Sequence, residues 1–200
     1  MTLDTLLAFT AYAFVTSVTP GPNNAMLLAS GANYGFRPTI PHMLGVNLGF
    51  CAMLLAIGLG LGGVIAAFPV LHEVLRYGGA AYLLYLAWRI AAAGPIGGIG
   101  PAGGKPFGFG QAAAFQWVNP KAWISAVGAV SIYTTHDGFF FNLLVITLVS
   151  SVVNAPCIAA WAWIGTLLPS FLDNPVRLRI FNVAMALLLV ASLYPIFFPA

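Results

Sequence analysis

Long apolar runs follow one another through this chain, and seven Lys and Arg with four Asp and Glu are its only formal charges among 200 residues. That scarcity sets the solvent. A soluble domain of ordinary composition carries about 25% charged residues, against 6% here, with 60% hydrophobic residues and a mean hydropathy of +0.95. So few charges cannot cover a water-facing surface, and the chain reads as an integral membrane protein with the lipid bilayer as its surroundings. The net charge of +3 is scattered without a basic patch. This points away from nucleic acid and makes the charges topology signals.

Six spanning segments are predicted where apolar stretches of about 20 residues run between polar interruptions. They cover Leu3 to Asn33, His42 to Phe68, Leu75 to Ala93, Phe107 to Thr134, Phe139 to Leu168 and Leu178 to Phe198. The first has no positive n-region, so Ala11-Tyr12-Ala13 is not taken as a cleavage site and the segment is expected to be retained as a helix. Connections such as "GFRPTIP" and "LDNPVR" read as short loops. The Gly/Pro-rich stretch 94–105 reads as a flexible tether. It divides the chain into residues 1–93 and 106–200, each expected to hold three spans.

Lys and Arg orient the bundle. Arg37, Arg89, Lys105, Arg177 and Arg179 fall on the first, third and fifth loops, with only Arg76 on the other side. The odd loops are therefore expected in the cytoplasm and both termini outside a bacterial inner membrane.

Two of the six segments are interrupted. "SVTPGPNN" places Pro20, Gly21, Pro22, Asn23 and Asn24 inside the first, and "WVNPKAW" places Asn119, Pro120 and Lys121 inside the fourth. Proline lacks an N–H and clashes with the preceding turn, so neither helix can run straight through. Pro20 and Pro120 lie one hundred residues apart, each in the first span of its half. Three spans is an odd number, so related halves must insert in opposite orientations, as in inverted-repeat transporters whose sites form at broken helices. The fold class expected is an all-α membrane protein of six transmembrane helices, a 3+3 inverted repeat with helices 1 and 4 broken at the proline motifs.

Each break frees carbonyls before it and N–H groups after it, tolerated at membrane depth only within protein or beside a wet cavity. The new helix starts suit a carboxylate, and Lys121 adds a full positive charge. Asn23, Asn24 and Asn119 supply amide donors and acceptors. Asn47 and Asn154, lone amides in corresponding helices, either line the same cavity or bond helix to helix. Gln116, about one turn before Pro120, is a similar case. Gly45, Gly49, Gly58 and Gly62, four apart in pairs, read as close helix packing, as does "GGAAY" from Gly78 to Tyr82. Trp88, Trp161 and Trp163 fit an interfacial belt or packing.

"TPGPNN", "GFR", "GVNLGF", "GGAAYLLYLAWR" and "VNPKAW" occur in the order seen in the LysE/RhtB family of amino-acid exporters, which the chain resembles over most of its length. The second asparagine and general shape look closest to the branch exporting cysteine and O-acetylserine. The resemblance implies a secondary transporter exporting a small amino acid or derivative, driven by a cation gradient. The central loop, less charged than its usual counterpart, departs from the pattern.

Asp4, Glu73, Asp137 and Asp173 all fall at segment ends or in loops. A site for lysine or arginine calls for a membrane carboxylate, so a neutral substrate is expected, of the cysteine, O-acetylserine, threonine or homoserine type. Lys121 and the helix starts would hold its carboxylate. Carbonyls before the breaks, with Asn23, Asn24 and Asn119, would accept from its ammonium. Proton coupling is left to Lys121 or, more weakly, His42. Other classes fit less well: a thiol-disulfide electron shuttle, disfavoured because Cys51 and Cys157 lie far from the breaks, a passive channel, and a metal-ion exporter lacking ligands. No enzyme activity, cofactor or resident metal is expected, and a homo-oligomer stays open.

Overall fold

The computed structural model describes residues 1–61, 63, 69–92, 106–135, 138–168, 174–191 and 193. Among them the protein is all-helical, with eight α-helices. These are α1 (Leu3–Val18), α2 (Pro22–Tyr34), α3 (Phe36–Ala56), α4 (Pro69–Ala91), α5 (Phe109–Gln116), α6 (Pro120–Tyr133), α7 (Phe139–Leu167) and α8 (Pro175–Ala191). The tether 94–105 lies outside the described residues, as do Gly62 and the expected continuation of the sixth segment past residue 193.

Two helical stretches, Phe36–Leu61 and Phe139–Leu167, are each long and apolar enough to cross a bilayer. Their outer faces show which solvent they meet. Leu144, Leu148 and Val152 on α7 are 55%, 65% and 72% exposed. At a spacing of four they form one stripe along the helix. Ile40, Leu44 and Leu48 make the same stripe on α3. Contiguous apolar stripes of this kind suit lipid rather than water.

Both proline motifs divide their segments. α1 ends at Val18 and α2 begins at Pro22; α5 ends at Gln116 and α6 begins at Pro120. Each second half-helix starts with proline, where the missing N–H has no intrahelical partner to lose.

Prolines elsewhere act differently from the expectation. "GFRPTIP" is not a loop: Gly35, at φ +85°, alone turns the chain, and α3 starts at Phe36 rather than His42. Pro38 falls in the first helical turn, which has no N–H bonds to lose. Thr39 Oγ1 donates to Gly35 O at 2.8 Å, closing that turn. "LDNPVR" likewise opens a helix, because Asn174 Oδ1 accepts from Val176 N at 2.8 Å and α8 begins at Pro175. The far end of α3 widens into a π-turn at Ile57–Leu61, where Gly60 adopts φ +108°.

The largest helix interfaces pair α2 with α7, α3 with α5, α4 with α8, α3 with α7 and α1 with α7. Small residues make them close. Gly45 and Gly49 press α3 onto Phe109, Ala112 and Ala113 of α5, and Gly58 meets Leu143 of α7. Gly31 of α2 faces the Ala162 carbonyl of α7, and Gly165 of α7 faces the Leu28 carbonyl of α2. Gly79 and Ala80 of "GGAAY" are buried, Gly79 against Val118. α2 is the central element, with ten of its thirteen residues buried. α6, the helix after the second break, buries four of fourteen, so the two helices that follow the breaks are not enclosed alike.

Candidate functional site

The end of α1 is where an unpaired backbone would be most costly. Pro20 and Pro22 supply no N–H, yet each carbonyl from Ser17 to Pro20 finds a donor. Asn24 Nδ2 donates to Ser17 O at 2.8 Å and to Thr19 O at 2.9 Å. Trp161 Nε1 of α7 donates to Val18 O at 3.2 Å. Lys121 Nζ donates to Thr19 O at 2.7 Å, to Thr19 Oγ1 at 2.9 Å and to Pro20 O at 3.3 Å. A cation at a helix C-terminus is electrostatically favourable, and here it comes from the other break. Trp161 therefore has a bonding role, while Trp88 and Trp163 are 66% and 55% exposed as belt residues would be.

The second break is closed by similar means. Asn119 Oδ1 accepts from Lys121 N at 3.1 Å, and Trp123 Nε1 donates to Trp117 O at 2.8 Å. A reciprocal amide pair joins the two breaks. Asn23 Nδ2 donates to Gln116 Oε1 at 2.9 Å, and Gln116 Nε2 donates to Asn23 Oδ1 at 3.1 Å and to Ala112 O at 2.9 Å. Gln116 has no exposed surface at all.

A cleft of about 620 Å³ opens between the breaks. Gly21, Asn23, Asn24, Asn119 and Lys121 line it, together with Asn154 and Ser150 of α7 and Tyr12 of α1. Pro20, Pro22, Pro120 and Asn47 shape its surroundings without lining it. Lys121 lies against Gly21, since a Cβ there would stand 2.7 Å from Lys121 Cδ and 3.1 Å from Nζ. Gly21 offers no side-chain cap to α2, so the positive helix start is left open toward the cleft. Among the described residues no acid lines it. Tyr12, whose hydroxyl donates to Ser125 O at 3.0 Å, packs tilted against both Phe9 and Tyr133 at one end, and those two rings meet edge to face.

The expected amides are thus unequal. Asn23 is committed to Gln116, and the freed carbonyls to Asn24, Trp161 and Lys121. The oxygen of Asn24 and the amino group of Asn119 have no partner among the described residues. Thr19, Ser150, Tyr12 and Trp161 were not singled out as site residues by sequence. The bonds that tie Tyr12, Thr19 and Trp161 to Ser125, Lys121 and Val18 span more than a hundred positions, so no local pattern marks them.

Asn154 Nδ2 donates to Asn47 Oδ1 at 2.9 Å, and Asn47 Nδ2 donates to Ser151 Oγ at 2.9 Å. Both readings of these amides therefore apply to Asn154, which bonds across the bundle and lines the cleft, whereas Asn47 only bonds. Asn47→Ala is expected to lower thermal stability in detergent by about 0.5–2 kcal/mol while leaving the substrate KM near wild type. Asn154→Ala is expected to raise KM as well. Equal KM shifts for the two would show that they act as one structural unit.

Cys51 and Cys157 are free thiols in α3 and α7, neither lining the cleft. His42 is 1% exposed in α3, its ring 5.3 Å from that of Phe107, with neither nitrogen hydrogen-bonded among the described residues.

Comparison with known proteins decides the family. The sequence pattern of the LysE type translocator matches residues 14–192. The chain belongs to the LysE translocator family. Its LysE relatives include the cysteine/O-acetylserine efflux proteins of Salmonella typhimurium and Escherichia coli K12. Each is 32% identical over 200 residues, covering 99% of this chain and 100% of the relative. The Salmonella typhi protein of the same name is 31% identical over 205 residues. No solved structure matches this LysE chain.

Proposed function

We propose that this LysE-type translocator exports small neutral amino acids or their derivatives across the bacterial inner membrane, with the cleft between the two breaks as the substrate site. The observation that carries the reading is the meeting of both proline breaks on one cleft that no acid lines among the described residues. The open start of α2, with the backbone N–H groups of Asn23 and Asn24, seats the carboxylate beside Lys121. The ammonium is accepted by the side-chain oxygens of Asn24 and Asn154, with Ser150 beside them. Gln116, Pro20, Pro22 and Pro120 position these groups, while Asn47 braces the helices around them. With no carboxylate among the described lining residues, a second substrate cation would stand unpaired, which disfavours lysine and arginine.

The fold proposed is six spans as a 3+3 inverted repeat, residues 1–93 against 106–200, with α1–α2 and α5–α6 as the broken helices. Its support is the exchange pattern of the interfaces: α3 meets α7, α4 meets α8, and α1 packs on α7 as α5 packs on α3. Odd loops are placed in the cytoplasm and both termini outside. In support, Ala32 at the end of α2 packs with Leu178 beside Arg177 and Arg179, and Tyr34 borders the same cavity as Arg89. A proton gradient is the proposed energy source, with Lys121 and His42 as the candidate carriers.

Counterflow in proteoliposomes tests the reading with cysteine, O-acetylserine, threonine, homoserine and lysine as loaded substrates. Exchange of the neutral compounds is expected. Strong lysine exchange with none of the others would overturn it. The Cys51→Ser/Cys157→Ser double variant is expected to retain export, whereas complete loss in a folded protein would favour a thiol-disulfide shuttle.

A further inference from the structure

A second cavity of about 440 Å³ lies along α2, at the opposite end of that helix from the breaks. Ser30, Asn33 and Tyr34 of α2 line it, facing Arg89 of α4 and Phe107. Arg89 is half-buried, its Cζ 5.8 Å from the centre of the Phe107 ring. Among the described residues no carboxylate pairs with it. Phe107 is held from another side by the buried His42 ring. Asn33 Nδ2 donates to Ala29 O at 2.7 Å and reaches Asn182 Oδ1 at 3.5 Å. Among the described residues Asn33 Oδ1 receives no donor. Ser30 and Thr39 share a hydroxyl bond at 2.8 Å, and Thr39 donates onward to Gly35 O. Ser30 Oγ consequently donates to Thr39 and keeps its own lone pairs.

The cavity thus has a cationic pole and an accepting pole a few side chains apart, matching the carboxylate and ammonium of a free α-amino acid. An arginine fork suits a carboxylate better than a point charge would. The place in the fold matters as much. Asn24 at the start of α2 lines the first cleft and Asn33 near its end lines the second, about 14 Å further along at 1.5 Å per residue. One buried helix is the shared wall of both.

We propose that this second cavity is a loading site for the zwitterionic head of the exported amino acid, at the end of the bundle where the odd-numbered loops lie. Arg89 takes the carboxylate and Asn33 Oδ1 the ammonium before the substrate moves along α2 to the breaks. This inference rests on the export reading above. A positive charge near a helix C-terminus also serves membrane topology, so Arg89→Lys is the companion variant that keeps the charge and removes the fork.

The test is labelled threonine exchange in proteoliposomes of neutral phosphatidylcholine, sorted by a tag on the N-terminus into vesicles of one orientation. Arg89→Gln is expected to raise KM about tenfold or more from the face opposite the termini, with kcat and the KM from the other face near wild type. Arg89→Lys is expected to show a smaller rise on the same face. An unchanged KM on that face in both variants overturns the proposal while wild-type exchange upholds export. An equal shift on both faces also overturns it, as does a shift that appears only when anionic phosphatidylglycerol is added, which would make the bound oxyanion a lipid phosphate. Wild-type vesicles that move none of the neutral amino acids overturn the export reading and this one with it.

Discussion

Lys121→Gln is expected to reduce export more than any other single change at the site. The ammonium joins the two breaks, donating to Thr19 O, Thr19 Oγ1 and Pro20 O across about a hundred residues of sequence. Glutamine is too short and uncharged to make these three bonds. Hydrogen bonds to charged groups contribute about 1.5–3 kcal/mol each. Loss of one net bond of that kind, together with the charge facing the substrate carboxylate, corresponds to a KM raised roughly 10- to 100-fold. Lys121→Arg retains charge but enlarges the head group against Gly21, so partial activity is expected. Measuring KM and kcat in proteoliposomes across pH separates the roles. Full export with an unchanged pH profile would remove Lys121 from both substrate binding and proton coupling.

The second large effect is expected in stability. Gly31 and Gly165 lie where α2 and α7 touch backbone to backbone, and a Cβ at either position would meet a carbonyl rather than a movable side chain. Gly31→Val should force the helices apart. Overpacking in a tight interior costs typically 1–3 kcal/mol, and loss of the α2–α7 contact would also disturb Trp161, which caps Val18 O. Thermal unfolding in detergent is expected to shift down for Gly31→Val and Gly165→Val. Gly78→Ala, with nothing near its Cβ position, is the control and is expected to behave as wild type. Equal unfolding of all three would mean that the α2–α7 seam has slack the geometry does not show.

What could be read from the residues, and what could not, follows the range of the interactions. Proline chemistry is local, so "TPGPNN" and "NPK" mark both breaks in the sequence itself. Pro38 and Pro175 look like loop punctuation, yet each sits in a first helical turn, where losing an N–H has no consequence. The Asn-Pro pair opens a helix in the same way at Asn119 and Asn174, the amide oxygen accepting from the N–H two residues on, but only one pair lies inside an apolar run. Lys121 was legible as a charge near a break. Its partners were not, because Thr19 is 102 residues away and nothing near either residue encodes the pairing. The commitment of Asn23 to Gln116 is invisible for the same reason. The unequal burial of α2 and α6 arises from packing of whole helices, and a motif repeated in both halves cannot report it.

The open start of α2 and the Lys121 ammonium form the cationic side of the cleft, and the amide oxygens of Asn24 and Asn154 form the accepting side. A neutral amino acid fits both at once, and its ester fits only one. The most direct measurement is competition of labelled threonine counterflow by unlabelled threonine and by threonine methyl ester. The ester is expected to compete at least about tenfold more weakly, a difference of about 1.4 kcal/mol, and Lys121→Gln should narrow that gap. Equal competition by acid and ester, unchanged by Lys121→Gln, would contradict a carboxylate seat between the breaks.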